Sequence, residues 1–245
     1  MDELLMLLEG YSPGYSARLQ GVDDWHLDEL EETFGRPLPR FYRQFCQIMG
    51  TAAGPLLAHV HAYEPRDDVA TIYKVFPDGR LPPRRFLYIF GDPSVDAQHF
   101  WLDLERPNPE AEDCWIVRMP FENNEWESHV SPVYVSLREM LFAWAMMYLH
   151  LPTFDHQVAY YQPSGEGQHG ITSDAQGLTK VFERLGFVRR PYPQHCQIFE
   201  RSDAGIFLYR SPAGPGLSLE MGVRDLRECR RLEAIIEDNT GMAKS

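Results

Sequence analysis

Four short stretches of this chain hold the residue types that do chemistry. Gly165-Glu166-Gly167-Gln168-His169-Gly170 spells G-x-G-x-x-G, the letters of a dinucleotide-binding turn. Such a turn works when a strand delivers it and a helix opens on it, so that backbone amides meet the pyrophosphate. Here Pro163 and Ser164 precede it, the next helix is predicted to start near Asp174, and Arg190 stands where an acid would hold the ribose. A flexible Gly-rich connection is the expectation instead. His59 and His61 alternate along a predicted strand and would point to one side, as two ligands of a zinc site do. No third ligand is identifiable, so no metal and no other cofactor is expected. His195 and Cys196 put a base beside a thiol, but neighbours on a strand point to opposite faces.

The fourth stretch would bind rather than react. Between Asp103 and Glu127 lie eight carboxylates, those of Asp103, Glu105, Glu110, Glu112, Asp113, Glu122, Glu125 and Glu127, against Arg106 and Arg118, a local charge of −6. They could be no more than a solvated loop that keeps the protein in solution. Phe121 and Trp126 stand among them in a Pro- and Asn-rich segment, where a large ring needs a core or a partner to cover it. Aromatic anchors ringed by charge build tight interfaces, the ring supplying affinity and the charges the association rate. Asp67 and Asp68, next to a turn on the same predicted sheet, extend the patch. The candidate partner-binding residues are therefore Asp67, Asp68, Asp103, Glu105, Phe121, Glu122, Glu125, Trp126 and Glu127.

The overall charge of −13 argues against nucleic acid or an anionic membrane as direct partner, because both select basic surfaces. It favours a basic protein. The charge is uneven: residues 1–170 hold 26 acidic and 12 basic side chains, whereas residues 171–245 hold 10 and 11. That step predicts two units. Four cysteines, Cys46, Cys114, Cys196 and Cys229, lie far apart with no C-x-x-C pair, which predicts reduced thiols and a cytoplasmic protein. The acidic start and the lack of an apolar run near 20 residues predict neither a secretory signal nor a membrane span.

Hydrophobic periodicity supplies the elements that must position these residues. A short helix is predicted over the first ten residues. A second runs from about Asp24 with Leu27, Leu30 and Phe34 on one stripe, and a third follows Pro39 with Phe41, Phe45, Ile48 and Met49. Gly35-Arg36-Pro37-Leu38-Pro39 between them is a stiff elbow, since Pro cannot sit inside a helix and Gly closes one. Strands are predicted over 56–63, 69–76, 86–90, 99–104, 115–119 and 133–135. In the fourth of these, Phe100, Leu102 and Leu104 would face inward and His99, Trp101 and Asp103 outward. Ser136-Leu137-Arg138-Glu139 is a capping box opening a helix that continues to Leu149. The C-terminal part reads as a helix from Ser173 or Asp174, strands over 196–201, 206–210 and 217–223, and a final helix over 224–238. The expected organisation is a domain over 1–151, a linker or long loop over 152–170, an α+β unit over 171–238 and a disordered tail over 239–245.

In that order the elements resemble the SMI1/KNR4 group of the SUKH superfamily. The resemblance rests on Leu30-Glu31, Phe34-Gly35-Arg36-Pro37-Leu38-Pro39, Phe41-Tyr42, Phe45 and Gly50, then on Phe90-Gly91-Asp92, Phe100-Trp101-Leu102-Asp103 and Val135-Ser136-Leu137. It covers roughly residues 20–150; the stretch 103–127 is longer than a minimal member needs, and 152–245 has no counterpart. It implies an α+β fold with a mixed or antiparallel sheet flanked by helices, to which the smaller C-terminal unit adds a helix, a three-strand meander and a helix. For bacterial members it implies an immunity protein that neutralises a toxin. No G-x-S-x-G, H-E-x-x-H or phosphate-binding loop occurs. With the resemblance, this predicts a non-catalytic immunity protein whose acidic face binds a cognate basic toxin, such as a nuclease. A scaffold or regulatory interaction module is the alternative, since fold does not fix function.

Overall fold

The computed structural model describes residues 1–62, 69–75, 82–93, 98–121, 126–162 and 175–245. Asp67, Asp68, Glu122, Glu125 and the Gly-rich stretch 165–170 lie outside them. The chain is α+β, with antiparallel sheets, and divides into two units, Met1–Leu141 and Phe142–Ser245.

The first unit runs α1 (Asp2–Tyr11), β1 (Leu19–Gln20), α2 (Asp24–Phe34), α3 (Arg40–Met49), β2 (Ala52–Ala53), β3 (His61–Ala62), α4 (Ala70–Val75), β4 (Phe86–Gly91), β5 (Gln98–Asn108), β6 (Asp113–Pro120), α5 (Trp126–His129), β7 (Ser131–Tyr134) and the start of α6 (Leu137–Trp144). Its main sheet has the order β3-β4-β5-β6-β7. The predicted elbow is present: Gly35 closes α2 at φ 66°, the left-handed region where a Cβ is unwelcome. Several of its polar groups are tied down. Arg36 Nη2 donates to the Leu104 carbonyl at 3.1 Å and the Leu38 amide donates to Glu31 Oε1 at 3.0 Å. The Phe41 amide then donates to the Glu112 carbonyl at 3.0 Å, so the elbow is fastened to the β5–β6 connection. Likewise the Ser136 hydroxyl accepts from the Glu139 amide at 3.0 Å and opens α6 as its sequence requires.

Two predicted strands are something else. The segment from Val69, rich in β-branched and aromatic residues, forms α4, because Val69 and Tyr73 at i, i+4 are both buried and Tyr73 reaches the sheet. Its ring meets Phe34 edge-on at 4.7 Å and its hydroxyl donates to the Phe86 carbonyl at 2.7 Å. Tertiary contacts outweigh strand propensity there. Among the described residues of 56–63 only His61–Ala62 is a strand, since Gly54–Leu57 coils into a 3₁₀ turn with Pro55 in its first residues.

One buried group in α2 lacks what burial demands. His26 is 4% exposed, and both ring nitrogens are buried without a hydrogen-bond partner among the described residues. An unsatisfied imidazole N–H in an apolar setting costs free energy that a hydrocarbon does not. His26→Leu is expected to raise the unfolding free energy by about 1–2 kcal/mol. A higher urea midpoint with an unchanged slope is the check.

The second unit continues from α6 through β8 (His156–Tyr161), α7 (Ala175–Arg184), β9 (Val188–Arg189), β10 (Gln197–Arg201), β11 (Ala204–Arg210), β12 (Leu217–Val223), α8 (Leu226–Asn239) and β13 (Ala243–Lys244). Its sheet has the order β13-β8-β12-β11-β10-β9, with β10, β11 and β12 forming the expected meander. Phe182, Phe199, Leu208, Leu219 and Leu232 sit in one core under α7 and α8. Two expectations fail here. The supposed linker contains β8, which pairs with β12 from His156 opposite Val223 to Tyr161 opposite Ser218. The supposed disordered tail returns as β13, with Ala243 opposite Tyr161. Both strands are short and lack clean alternation, so their pairing is decided by the neighbouring strand and not by their own pattern. Among the described residues, no helix is long and apolar enough to cross a membrane.

Candidate functional site

Asp103, the first of the predicted acidic set, is not on the surface. It is 0% exposed, with Arg85 gripping its two oxygens through Nε and Nη2 at 2.7 Å each and Arg106 Nε 3.5 Å away. The strand that carries it was expected to be half-buried. Instead β5 is the third of five strands, and Trp101, Leu102, Asp103 and Leu104 are all buried in succession. A strand covered on both faces loses its polar side, and an acid on it has to be neutralised in place. Asp103 is therefore a structural ion pair and leaves the candidate interface. Asp113 is also interior: its oxygens accept from the Cys114 amide at 2.8 Å and the Arg138 amide at 2.9 Å, at the start of α6. Burial outweighs these bonds and pushes its carboxyl up to about 7.

The two rings proposed as anchors are spent on the sheet. Phe121 packs edge-on to Tyr88 at 5.3 Å and lies 5.9 Å from both Trp101 and His99. Trp126, the first residue of α5, meets Phe86 edge-on at 5.1 Å. Each is half-buried, covering the aromatic face made by Phe86, Tyr88 and Trp101. Among the described residues, the exposed carboxylates of the stretch are those of Glu105, Glu110, Glu112 and Glu127. Glu105 sits 3.5 Å from Arg85 and Glu112 pairs with Arg40 at 2.5 Å.

The arrangement sought around Trp126 occurs on α2. Six carboxylates, Asp23, Asp24, Asp28, Glu29, Glu31 and Glu32, lie within ten residues of chain. Among them Trp25 is 58% exposed. Leu27, Leu30 and Phe34 turn inward, which puts Trp25 on the opposite side of the helix, in line with Glu29 and Glu32 at i+4 and i+7. The flank nearer α3 is partly neutralised: Arg43 reaches Asp24 at 3.2 Å, Asp28 at 2.8 Å and Glu31 at 3.2 Å. One Arg shared by three acids leaves the helix strongly negative. The signal was in the sequence, since the apolar stripe that predicts α2 also predicts that Trp25 faces away from it. Where α2 ends, a groove of about 350 Å³ runs between the elbow and the β5–β6 connection, lined by Arg36, Leu38, Leu104, Pro107 and Glu112 among others. Its carboxylates, Glu112 and Asp113, come from the β5–β6 side, while the elbow contributes the cation Arg36.

The thiols and imidazoles singled out by the sequence sit in desolvated positions. Burial pushes the Cys46 and Cys114 thiols up to about 12, and all four cysteines are buried without a disulfide. His59 and His99 are held below the usual imidazole range, in both cases chiefly by burial. His61 is in β3 opposite Gly91, whereas His59 precedes the strand, so the two do not share the alternation expected of them. Among the described residues, no three His, Cys, Asp or Glu side chains are grouped to hold a metal. His195 Nε2 lies 3.1 Å from the Arg210 carbonyl, while Cys196 is buried. Compared with known proteins, the chain matches no family model and no curated protein.

Proposed function

We propose that the protein is a non-catalytic, cytoplasmic immunity protein that binds and neutralises a basic protein toxin through its acidic helix and elbow. The observation that carries this reading is Trp25, a large ring left in solvent on a helix with six carboxylates around it. Exposed Trp is scarce on surfaces and enriched among the residues that dominate binding energy. The order of motifs that resembles the SMI1/KNR4 group supports the same reading, and α2 and the elbow lie within it. A nuclease is the kind of toxin that fits. It must present Lys and Arg to phosphates, and fixed carboxylates satisfy those groups without offering a bond to cleave.

The test is co-purification with the product of the neighbouring gene, followed by kinetics on two variants. Trp25→Ala is expected to raise the dissociation rate and weaken binding by about 2 kcal/mol, with association nearly unchanged. Glu29→Lys with Glu32→Lys is expected to slow association and flatten its salt dependence. Wild-type kinetics in both variants would remove this surface from the interface. Steady capture of housekeeping proteins in place of a toxin would favour the scaffold alternative.

A further inference from the structure

A second site lies in the other unit and is opposite in charge. Along one side of α7 is an open pocket of about 420 Å³ whose lining includes Thr179, Lys180, Glu183, Arg189, Gln197 and Arg210. Strand register explains why these residues meet. Arg189 of β9 stands opposite Phe199 of β10, and Gln197 stands opposite Leu208 of β11. Residues two apart on a strand share a face, so Arg189, Gln197 and Arg210 lie on the same face as Phe199 and Leu208. That is the face whose core α7 covers with Leu178 and Phe182. Thr179, Lys180 and Glu183 follow on the helix at i, i+1 and i+4 and close the pocket from above.

Among the described residues, three cations therefore converge on a pocket lined by one carboxylate. The acids that form ion pairs in this unit are engaged with other cations: Glu200 with Arg190 at 2.5 Å, Asp203 and Glu228 with Arg201 at 2.6 Å each, and Glu233 with Lys244. Arg189 Nε is buried and has no hydrogen-bond partner among the described residues. A buried guanidinium donor without an acceptor costs free energy in the unliganded protein that a bound anion would recover. Gln197 is 7% exposed, and its Oε1 lies 2.7 Å from the Thr179 hydroxyl. The same hydroxyl lies 2.8 Å from the Ala175 carbonyl and has one proton to give, so the contact fixes the Gln197 amide in the pocket wall.

We infer that this pocket binds a small phosphate monoester, with Arg189, Arg210 and Lys180 on the phosphate and Glu183 accepting from a hydroxyl of the organic part. Arg forks match the geometry of phosphate oxygens, and Lys adds a mobile point charge. The volume suits a small organic molecule, and the acid at its rim disfavours a long polyanion. The proposal is independent of the toxin-binding reading, because it uses none of the residues of α2 or the elbow.

Calorimetric titration of the full chain with ribose 5-phosphate, ribose and inorganic phosphate at fixed ionic strength tests it. Saturable binding of ribose 5-phosphate, tighter than that of inorganic phosphate and with none of ribose, is the expected result; inorganic phosphate binding without ribose 5-phosphate overturns the monoester assignment. Arg189→Gln and the exposed Lys180→Gln should each weaken binding roughly tenfold or more. Arg230→Gln, which removes an exposed charge from α8, should not, and neither should Trp25→Ala. Circular dichroism confirms that each variant is folded, and Lys180→Gln stands as the test if Arg189→Gln is not. No saturable heat with either phosphate compound, or Lys180→Gln binding as tightly as wild type, overturns the inference.

Discussion

Arg85→Ala is expected to lower the unfolding free energy by about 3 kcal/mol, measured by denaturant titration. The variant leaves the Asp103 carboxylate inside the sheet without its bidentate partner, and the remaining contacts are weak substitutes. Arg106 is 3.5 Å away and half-exposed, and the Glu105 amide donates at 3.2 Å. The loss is mostly the desolvation of an unpaired charge and not the intrinsic worth of the pair. The double change Arg85→Met with Asp103→Leu should therefore recover most of the stability, since it removes both charges at once. It also separates structure from binding. If Asp103 serves only the fold, this double variant binds the toxin as wild type does; a large loss of affinity would return Asp103 to the interface.

The second large effect is on pH dependence. Asp113 ionises near its ordinary value, close to 4, in the unfolded chain and at about 7 when folded, because burial disfavours the charged form. A raised folded value means that the folded state binds the proton more tightly. The contribution is then fully present below about pH 4 and is lost as pH rises towards 7. Three units correspond to roughly 4 kcal/mol. Asp113→Asn, which cannot ionise but offers one carbonyl oxygen where the carboxyl group offers two, should remove this component and add a pH-independent cost for the amide it no longer serves. Subtracting the two stability profiles between pH 4 and 8 isolates it from all other groups. A difference that stays flat across that window would mean that the amides at the start of α6 hold Asp113 ionised throughout.

How far the sequence could be read depended on whether local pattern and tertiary surroundings agreed. They agree at α2, the elbow, α3, β4 and β12, where stripe or alternation, glycine and proline point to one answer. They disagree at 69–75, where strand-like residues coil because Val69 and Tyr73 find burial as a helix. β8 was missed because it lies in the stretch read as a linker, and β13 because its two residues carry no pattern of their own. The acidic surface was legible as a charge but not as a place. Counting carboxylates along 103–127 could not separate Asp103 and Asp113, which are interior, from Glu105, Glu110, Glu112 and Glu127, which are in solvent. Burial is a property of the assembled sheet. Trp25 could have been placed by the helical wheel alone, whereas Trp126 needed the position of Phe86.

β13 also bears on how the second unit keeps to itself. Without those last residues β8 would become an outer strand along that side, its amides and carbonyls open to any chain able to lie beside it. The short closing segment thus acts as a selvedge, a finished border over the Tyr160–Tyr161 end of that strand.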